Sequence, residues 1–320
     1  MGELVSAIIP SFNRAALLVR AFTSVAAQDY RPLEAVVVDD GSTDKTPELI
    51  AEQQRLLAHS GVELIYHRQP NAGPAAARNT GVALSHGGQL CFLDSDDYWD
   101  AQFISTLQRL LASNPPAGLA FCACTVVDEK ERRIRERRSR LPSHPLEGIL
   151  PRPFEAIFRY MPLSTPCVMV HRRVIDDVGV FDPAIRVGED WDLWYRIAMK
   201  YDFVYTLRAL SFFREHPENT PKFTADALAQ RVRLIHKYYP LATEPLTHKV
   251  VGRRLHWEAT LLQEQLMREG LGARKYLDLL EHPLSPRSLR FRLGGFIRRR
   301  PDWAQQAYAR LIRALGSLGR

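Results

Sequence analysis

Three carboxylates lie within four residues of the sequence, at Asp94, Asp96 and Asp97. Like charges this close repel one another, so such a cluster favours a compensating cation. The apolar run before it, residues 90–93, has the length of a buried strand, and open α/β sheets bind ligands at the carboxyl ends of their strands. We interpret the cluster as a divalent-metal site that holds a diphosphate. The alternative is a solvated turn whose last aspartate caps the helix that begins near Ala101.

A second acidic pair, Glu189 and Asp190, is followed by Trp191 and Trp194 at helical spacing. The helix dipole stabilises the ionised form of carboxylates in the first turn of a helix. Simple capping explains such a pair equally well, and the residue types alone do not favour a catalytic role. By residue type alone, His216 in its polar loop is also typical of an ordinary surface residue.

The elements that position these groups alternate between strand and helix. Strands are predicted over residues 4–9, 33–38, 62–67 and 90–93, and helices over residues 15–27, 46–57, 75–84 and 101–112. Ser42 or Thr43 is expected to cap the second helix. Further strands are predicted over residues 118–127, 163–170 and 209–213. Four strand–helix units in sequence predict βαβ connections and a parallel sheet.

The strands end in polar or glycine-containing loops, which are expected to converge on one crevice. Pro10 and Phe12 offer a flat apolar surface for a base, and Asp40 offers a carboxylate that can accept a base N–H. Gly73 lets the backbone approach a diphosphate, and Arg78 brings a positive charge to the same place. Each residue also has a structural explanation: core packing for Phe12, turn formation for Asp40 and a surface ion pair for Arg78.

Four segments occur in a characteristic order: IIPSFNR, VVVDDGSTD, NAGPAAARNTGV and FLDSDDYW. Together they resemble glycosyltransferase family 2, and the resemblance extends over roughly residues 4–220. It implies a GT-A fold, which is a Rossmann-like α/β structure with a mostly parallel sheet flanked by helices. It also implies an inverting enzyme that transfers a sugar from a nucleotide diphosphate donor to a hydroxyl, with Mn²⁺ or Mg²⁺ as cofactor.

The resemblance further implies roles for individual residues. Asp190 becomes the catalytic base, with Glu189 as its neighbour or second candidate. Asp96 becomes a metal ligand, with Asp97 close by and His216 positioned to reach the metal or the diphosphate. Nucleotide-binding residues are expected at Pro10, Phe12, Asn13, Arg14, Asp39, Asp40, Gly73, Arg78, Asp94 and Ser95. Acceptor-binding residues are expected at Trp99 and Trp191.

Composition narrows the class of protein. Hydrophobic residues make up 46% and charged residues 25% of the 320 residues, which is typical of a globular protein. No apolar run approaches the ~20 residues of a spanning helix, and the N-terminus lacks the pattern of a signal peptide, so we expect a cytoplasmic protein. The cysteines show no paired spacing and are expected to be buried reduced thiols; they are Cys91, Cys122, Cys124 and Cys167.

The sequence predicts a catalytic domain over residues 1–222, with a nucleotide-binding half at 1–100 and an acceptor-binding half at 101–222. A helical, basic C-terminal extension is predicted over residues 223–320. Its arginines alternate with apolar residues; they are Arg287, Arg290, Arg292, Arg298, Arg299 and Arg300. Peripheral contact with an anionic membrane at its inner face, a helical cap with a solvated basic face, and an oligomer contact all remain open for this stretch. Residues 129–140 favour a solvated hairpin or mobile loop over an anion-binding patch.

Two other functions compete with the transferase. A nucleotidyltransferase that makes activated sugars would normally carry a glycine-rich basic loop after the first strand, and the PSFNR segment lacks that form. A non-catalytic scaffold that binds nucleotide sugars is the second alternative. Uridine diphosphate sugars are the expected donors, with guanosine and thymidine donors left open. The expected acceptor is a saccharide or lipid-linked hydroxyl in cell-surface polysaccharide synthesis, and nucleic acid is not an expected partner.

Overall fold

The structure is a computed structural model that describes residues 2–137, 145–216 and 224–270. The chain divides into two compact units, Met1–Asn219 and Thr220–Arg320. The domain boundary predicted from the sequence, between residues 222 and 223, and the subdivision at residue 100 stay predictions.

The first unit contains one mixed sheet flanked by helices. Its described strands are β1 Val5–Ser11, β2 Leu33–Asp39, β3 Val62–Arg68, β4 Gln89–Phe92, β5 Tyr98–Trp99, β6 Ala117–Val127, β7 Arg133–Arg137, β8 Glu147–Leu150, β9 Val168–His171 and β10 Asp202–Arg214. Its described helices are α1 Ala15–Ala26, α2 Thr46–His59, α3 Pro74–Leu84, α4 Phe103–Ala112, α5 Pro153–Tyr160, α6 Arg172–Val178 and α7 Glu189–Ala198. The predicted α/β class is confirmed.

Strand order explains where a ligand crevice forms. The order along the sheet is β3-β2-β1-β4-β9-β6-β10-β5, with β7 on β6 and β8 on β10. The strands β3, β2, β1 and β4 are parallel, so their carboxyl ends share one edge. This edge contains the point between β1 and β4 at which the strand order reverses, where open α/β sheets bind ligands. Beyond β4 the sheet becomes mixed, because β9 pairs antiparallel with both β4 and β6.

Hydrophobic burial fixes the register of the central strands. Every residue of β1 and β2 is buried, which matches their nearly continuous apolar sequences and the coverage of parallel strands on both faces. All four cysteines are buried free thiols, as predicted. The long strand β6 is buried over its full length between β9 and β10. The carboxyl edge of a rigid sheet therefore supports the polar loops.

Several local predictions differ from the structure. Lys45 occupies the N-cap position of α2, and Asp44 accepts the Thr46 N–H at 3.0 Å, whereas Ser42 accepts the Asn13 N–H at 2.9 Å instead of capping a helix. The strand predicted over residues 163–170 begins only at Val168. A 3₁₀ turn at Thr165–Cys167 precedes it, because Pro166 has a fixed φ and no N–H for a strand ladder.

The charged segment after β6 forms a hairpin over its described part. Asp128 builds the turn, since its carboxylate accepts the backbone N–H groups of Lys130 and Arg132 at 2.9 and 2.8 Å. The strand β7 then pairs antiparallel with β6. Of the two structures that the charge pattern favoured, the described residues therefore form the hairpin, and residues 138–140 lie outside the described part.

The second unit contains helices α8 Ala225–Tyr238 and α9 Pro245–Arg268, which pack against each other. Thr224 caps α8 by accepting the Ala227 N–H at 3.2 Å. Between the helices, the buried carboxylate of Glu258 pairs with Arg231 at 2.8 Å and Arg254 at 2.7 Å. Among the described residues no helix is long and apolar enough to cross a membrane. The arginine-rich stretch 287–300 lies outside the described residues, so its three explanations stay open.

Candidate active site

The acidic loop after β4, residues 94–97, has carboxylates in different environments. The loop continues the sheet, because the Leu93 N–H donates to the Ile8 carbonyl at 2.9 Å, and it then closes into a turn between Asp97 N and Asp94 O at 3.0 Å. Asp94 and Asp96 are partly exposed, whereas Asp97 is 1% exposed. Ser95, between them, is buried. Three aspartates close together in sequence therefore have distinct environments.

Asp96 faces a histidine that follows β10. The Nε2 atom of His216 lies 2.9 Å from Oδ2 of Asp96. His216 follows β10, which pairs with β5 directly after the acidic loop. The pairing of these two strands thus brings together residues that are 120 positions apart.

Asp97 does not fit the metal-ligand role that was predicted for it. Its Oδ1 accepts the backbone N–H of Arg214 at 2.9 Å, and its side chain is directed into the protein. Burial raises the pKa of Asp97 well above its usual range, and the nearby charges of Asp96 and Asp94 raise it further. A buried carboxyl that accepts a backbone N–H is turned away from the solvent-facing edge, so its position indicates that it anchors the end of β10.

Arg214, which precedes His216 by two residues, is held by the hairpin turn. Its Nε atom donates to the Asp96 carbonyl at 3.2 Å, and its Nη2 atom lies 3.2 Å from Oε1 of Glu131. Glu131 also accepts a bond from Arg20, whose guanidinium lies 4.1 Å from the centre of the Tyr98 ring. This arrangement was missed in the sequence, because the alternating charges of the hairpin resemble an ordinary solvated surface.

Arg78 joins the acidic loop to the second acidic pair. Its Nη2 donates to Oδ1 of Asp94 at 2.7 Å, and its Nη1 donates to Oε1 of Glu189 at 2.9 Å. The guanidinium is buried, and the charges of Asp94 and Glu189 raise its pKa against the opposing effect of burial. Arg78 is presented by α3, which starts with Pro74 after Gly73 in a left-handed conformation with φ of +89°. The surface ion pair considered for Arg78 is in fact a buried bridge.

Asp190 lies in the first turn of α7. Gly188 precedes the helix with a positive φ of +89°. The first turn of the helix contains acidic residues and its last turn contains Arg196, as its dipole favours. Oδ1 of Asp190 accepts the Trp191 N–H at 2.9 Å, and Oδ2 accepts the Thr165 hydroxyl at 3.2 Å. Burial and the charge of Glu189 raise the pKa of Asp190 to about 7, against the opposing effects of Arg78 and of these two hydrogen bonds.

The two aspartates at the carboxyl end of β2, Asp39 and Asp40, are hydrogen-bonded to other groups of the protein. Asp40 accepts bonds from the Gln69 side chain at 2.7 Å, from Ala72 N at 2.9 Å and from Gly73 N at 2.8 Å. Asp39 accepts the Ser42 N–H at 2.8 Å and the hydroxyl of Tyr66 at 3.1 Å. Both carboxylates therefore shape the loops of this edge, which supports the turn-forming alternative; base recognition by Asp40 stays a prediction.

The remaining predicted nucleotide-binding residues lie on the β1–α1 connection. Phe12 is 45% exposed, which leaves a ring face open for stacking, whereas Pro10 is buried within β1. Asn13 has a positive φ of +53°, and its side chain accepts the Thr43 N–H at 2.7 Å, so it ties this loop to the loop after β2. Arg14 is the N-cap residue of α1. Phe12 is thus the residue of this group whose side chain is most free to meet a base.

The two tryptophans predicted to bind an acceptor differ. Trp191 is partly exposed beside Asp190. Trp99 is only 3% exposed; its ring stacks on Phe103 with centroids 4.3 Å apart, and its Nε1 donates to the Pro166 carbonyl at 2.7 Å. Burial removes Trp99 from any acceptor surface, so its predicted role does not fit its position.

A comparison with protein families places this geometry in context. Residues 6–179 match the family model described as Glycosyl transferase family 2. The chain belongs to this family. The acidic loop, Arg78 and the turn before β9 all lie within the matched residues, whereas α7 and His216 follow them.

Curated relatives of the chain are described as glycosyltransferases. The chain is 31% identical over 196 residues to an uncharacterized glycosyltransferase of Rickettsia conorii, covering 61% of this chain and 30% of that protein. It is 27% identical over 230 residues to an uncharacterized glycosyltransferase of Nostoc sp., covering 71% of this chain and 69% of that protein. The chain thus spans about 30% of the length of the Rickettsia conorii relative.

The chain is also similar in fold to solved structures of other proteins. Residues 1–349 of S. aureus TarS in complex with UDP-GlcNAc align with a TM-score of 0.61 at 17% identity, covering 99% of this chain and 80% of that one. The mannosyltransferase PcManGT from Pyrobaculum calidifontis, in complex with GDP-Man and Mn²⁺, aligns with a TM-score of 0.58 at 18% identity, covering 98% and 88%. At these identities the likeness shows the fold, and the predicted GT-A fold is confirmed.

The side chains near the acidic loop supply only part of the ligand set that a divalent ion needs. In the described part of the chain, no group of three or more His, Cys, Asp or Glu side chains is arranged to hold a metal. The pair Asp96 and His216 offers one carboxylate and one imidazole, a donor set that suits Mn²⁺. Divalent ions at such sites commonly take their remaining ligands from water and substrate phosphates. The pair therefore fits an ion that is completed by a diphosphate.

Proposed function

We propose that this chain is a metal-dependent inverting glycosyltransferase that moves a sugar from a nucleoside diphosphate to an acceptor hydroxyl. One observation carries the proposal: the guanidinium of Arg78 bonds Asp94 at 2.7 Å and Glu189 at 2.9 Å. The acidic loop after β4 and the carboxylates that begin α7 therefore lie within the reach of a single side chain. A diphosphate donor bound at the acidic loop and an acceptor hydroxyl bound at the start of α7 would therefore meet at this edge of the sheet.

Asp190 is proposed to be the general base. A single in-line displacement needs the acceptor hydroxyl to lose its proton while its oxygen forms a bond to the anomeric carbon. The bond between that carbon and the diphosphate oxygen breaks, and its electron pair leaves with the phosphate. Asp190 would receive the proton, and its pKa of about 7 suits a base that works near neutral pH.

Asp96 and His216 are proposed to hold the divalent ion, Mn²⁺ or Mg²⁺. When bound, such an ion neutralises the negative charge that develops on a leaving diphosphate. Asp94 would face the same diphosphate while Arg78 restrains its Oδ1 atom. Asp97 is proposed as an anchor for Arg214 rather than as a ligand, because its carboxyl is buried.

Uridine diphosphate sugars are the proposed donors, with guanosine and thymidine nucleotides as competing candidates. The two structural neighbours contain UDP-GlcNAc and GDP-Man, which supports a nucleotide sugar as the donor class. Phe12 would stack on the base through its exposed ring face. Asp40 is proposed to accept a base N–H with its remaining acceptor capacity, since three protein donors leave a carboxylate with about one acceptor site.

The proposed acceptor is the hydroxyl of a saccharide or of a lipid-linked saccharide, in cell-surface polysaccharide synthesis. Trp191 supports a sugar acceptor, because it is partly exposed next to Asp190 and aromatic side chains pair an apolar face with a polar edge. Arrival of the hydroxyl from the α7 side would place it opposite the diphosphate, as inversion requires.

The test is calorimetric titration of the full chain with UDP, GDP and dTDP, each with Mn²⁺ and again with chelator. We expect one nucleotide to bind only when Mn²⁺ is present. Asp190→Asn should retain this binding but lose turnover of the matching nucleotide sugar, which would separate the base from the donor site. Failure of a folded sample to bind any of the three nucleotides would overturn the proposal.

A further inference from the structure

Thr165 contacts the proposed base from a separate element. Its hydroxyl donates to Oδ2 of Asp190 at 3.2 Å, across 25 residues of sequence. The other carboxylate oxygen accepts the Trp191 N–H, which belongs to the same helix turn as Asp190. The two bonds hold the carboxylate from two sides, and Thr165 supplies the one that comes from outside α7.

The position of Thr165 is itself fixed by the core. Thr165 begins the 3₁₀ turn before β9, which the Cys167 N–H closes by donating to the Ser164 carbonyl at 2.9 Å. The middle residue, Pro166, accepts the indole N–H of Trp99 at 2.7 Å. Trp99 directly follows the acidic loop in β5 and stacks on Phe103. A buried indole therefore connects the acidic loop to the turn that carries Thr165.

We propose that Thr165 is a positioning residue for Asp190, whose carboxylate it orients through its hydroxyl, and that the Trp99–Pro166 hydrogen bond fixes Thr165 in place. This inference rests on the proposed role of Asp190 as the base. It also gives the buried Trp99 a function in the site that differs from the acceptor contact predicted from the sequence.

The charges around Asp190 give the direction of the effect. Burial and the neighbouring charge of Glu189 favour the protonated acid, whereas Arg78, the Trp191 N–H and the Thr165 hydroxyl favour the carboxylate. A hydrogen bond to the charged form lowers the pKa of an acid. Loss of the Thr165 hydroxyl should therefore raise the pKa of Asp190 and free its carboxylate to rotate.

The first experiment measures this pKa directly. Aspartate carboxyl carbons labelled with ¹³C are titrated by NMR in the full chain, and the resonance absent from Asp190→Asn is assigned to Asp190. We expect Thr165→Val to raise the midpoint by about half to one pH unit, and Thr165→Ser to restore it. Thr106→Val is the matched control, because Thr106 in α4 is also 5% exposed. An unchanged midpoint in a folded Thr165→Val protein would refute the inference.

The second experiment follows release of nucleoside diphosphate from the donor that calorimetry identifies, as a function of pH. The acid limb of kcat should move upward with the NMR midpoint in Thr165→Val, while the Kd for nucleotide and Mn²⁺ stays within about twofold of the wild-type value. Trp99→Phe, which keeps an aromatic side chain but removes the N–H donor, should shift the limb in the same direction. A Thr165→Val protein whose kcat and acid limb both match those of the wild type would contradict the positioning role.

The two proposals fail in different ways. Absence of nucleotide binding and of donor turnover in the wild-type chain would remove the proposed function, whatever the NMR titration shows. If the wild-type chain turns over its donor and the acid limb is the same in Thr165→Val, the proposed function would stand and only this inference would fail.

Discussion

Arg78 and Glu189 lie 111 residues apart in sequence and form an ion pair of 2.9 Å in which the guanidinium is buried. The same guanidinium holds Asp94, so one cation neutralises an acid from each half of the site. Two carboxylates at this spacing would otherwise repel each other and separate the acidic loop from α7. The site therefore depends on a side chain that needs no direct contact with the reacting atoms.

Removal of this cation should destabilise the protein strongly. Arg78→Met leaves the carboxylates of Asp94 and Glu189, which are 28% and 14% exposed, without their buried partner. Because solvent reaches both acids, the cost should exceed that of a surface pair but stay below the ~3–5 kcal/mol of breaking a fully buried pair. Arg78→Lys should recover only part of the loss, because an ammonium lacks the planar fork that reaches both acids. Urea unfolding measures the difference. Arg109→Gln is the control: it breaks the more exposed Arg109–Glu147 pair and should cost at most about 1 kcal/mol.

Turnover should rise with pH through the titration of Asp190. A base works only when it is deprotonated, and the pKa of Asp190 is raised to about 7 by burial and by Glu189. We therefore expect the rate to fall below neutral pH and to level off above it. Asp190→Asn should reduce turnover by roughly 10²–10⁴-fold and abolish the acid limb. A wild-type rate that stays constant between pH 5.5 and about 8.5 would exclude Asp190 as the base.

Asp96 and Asp97 should differ in their sensitivity to the same substitution. Asp96→Asn removes a carboxylate that faces His216, so the Mn²⁺-dependent affinity for nucleotide should fall by about tenfold or more. Asp97→Asn keeps an oxygen that can accept the Arg214 N–H and replaces a buried acid by a neutral amide, so binding and folding should be nearly unchanged. Calorimetry with Mn²⁺ and UDP compares the two variants. If both variants lose Mn²⁺-dependent nucleotide binding equally, Asp97 would have to be considered a metal ligand again.

Phe12 should contribute to nucleotide affinity and little to stability. Its ring is 45% exposed, and stacking of an aromatic ring on a base is worth about 1–3 kcal/mol. Phe12→Ala should therefore raise the Kd for the bound nucleotide by roughly fivefold or more while leaving the unfolding midpoint in place. Val19→Ala, which shortens an exposed apolar residue of α1, is the control for a general surface effect. Unchanged affinity in Phe12→Ala would assign the base to another surface.

Glu34, near the amino end of β2, should make the stability of the fold sensitive to acid. Burial raises its pKa, but bonds from Ser6, from the His86 backbone and ring, and from Gly87 outweigh it and lower the pKa below its usual value. A lowered pKa in the folded state means that Glu34 stabilises the protein above pH 4.5 and loses this contribution as pH falls through the folded pKa. Glu34→Gln should flatten this part of the urea-derived stability profile, whereas substitution of the exposed Glu63 should not.

Much of the fold followed from the sequence, because its signals are local. Apolar runs of strand length, with helical periodicity between them, predicted the parallel strands β1 to β4 and the helices that connect them. The acidic residues of the site were also identifiable, since a cluster of like charges after a buried strand is unusual. These features depend on residues that are close together in the chain.

The details that were missed depend on contacts between distant segments. Asp96 and Asp97 are adjacent in the sequence, and only the pairing of β5 with β10 decides that one faces His216 and the other holds Arg214. Trp99 follows the acidic loop and could have lined a sugar site, but its indole N–H finds the Pro166 carbonyl in the core. Thr165 gave no signal because a single threonine before a proline is common. Residue type cannot report which partner a polar atom will meet.

Glu131 gives the hairpin turn after β6 a property that most surface turns lack. Tips of exposed hairpins usually accept inserted sequences, since few contacts cross them. Here one carboxylate at the tip is bonded to Arg20 of α1 and to Arg214 at the end of β10. A peptide tag or foreign loop placed between Asp128 and Arg132 would therefore disrupt the contacts through which Glu131 and Arg214 hold the acidic loop. Fusion designs should leave this turn intact.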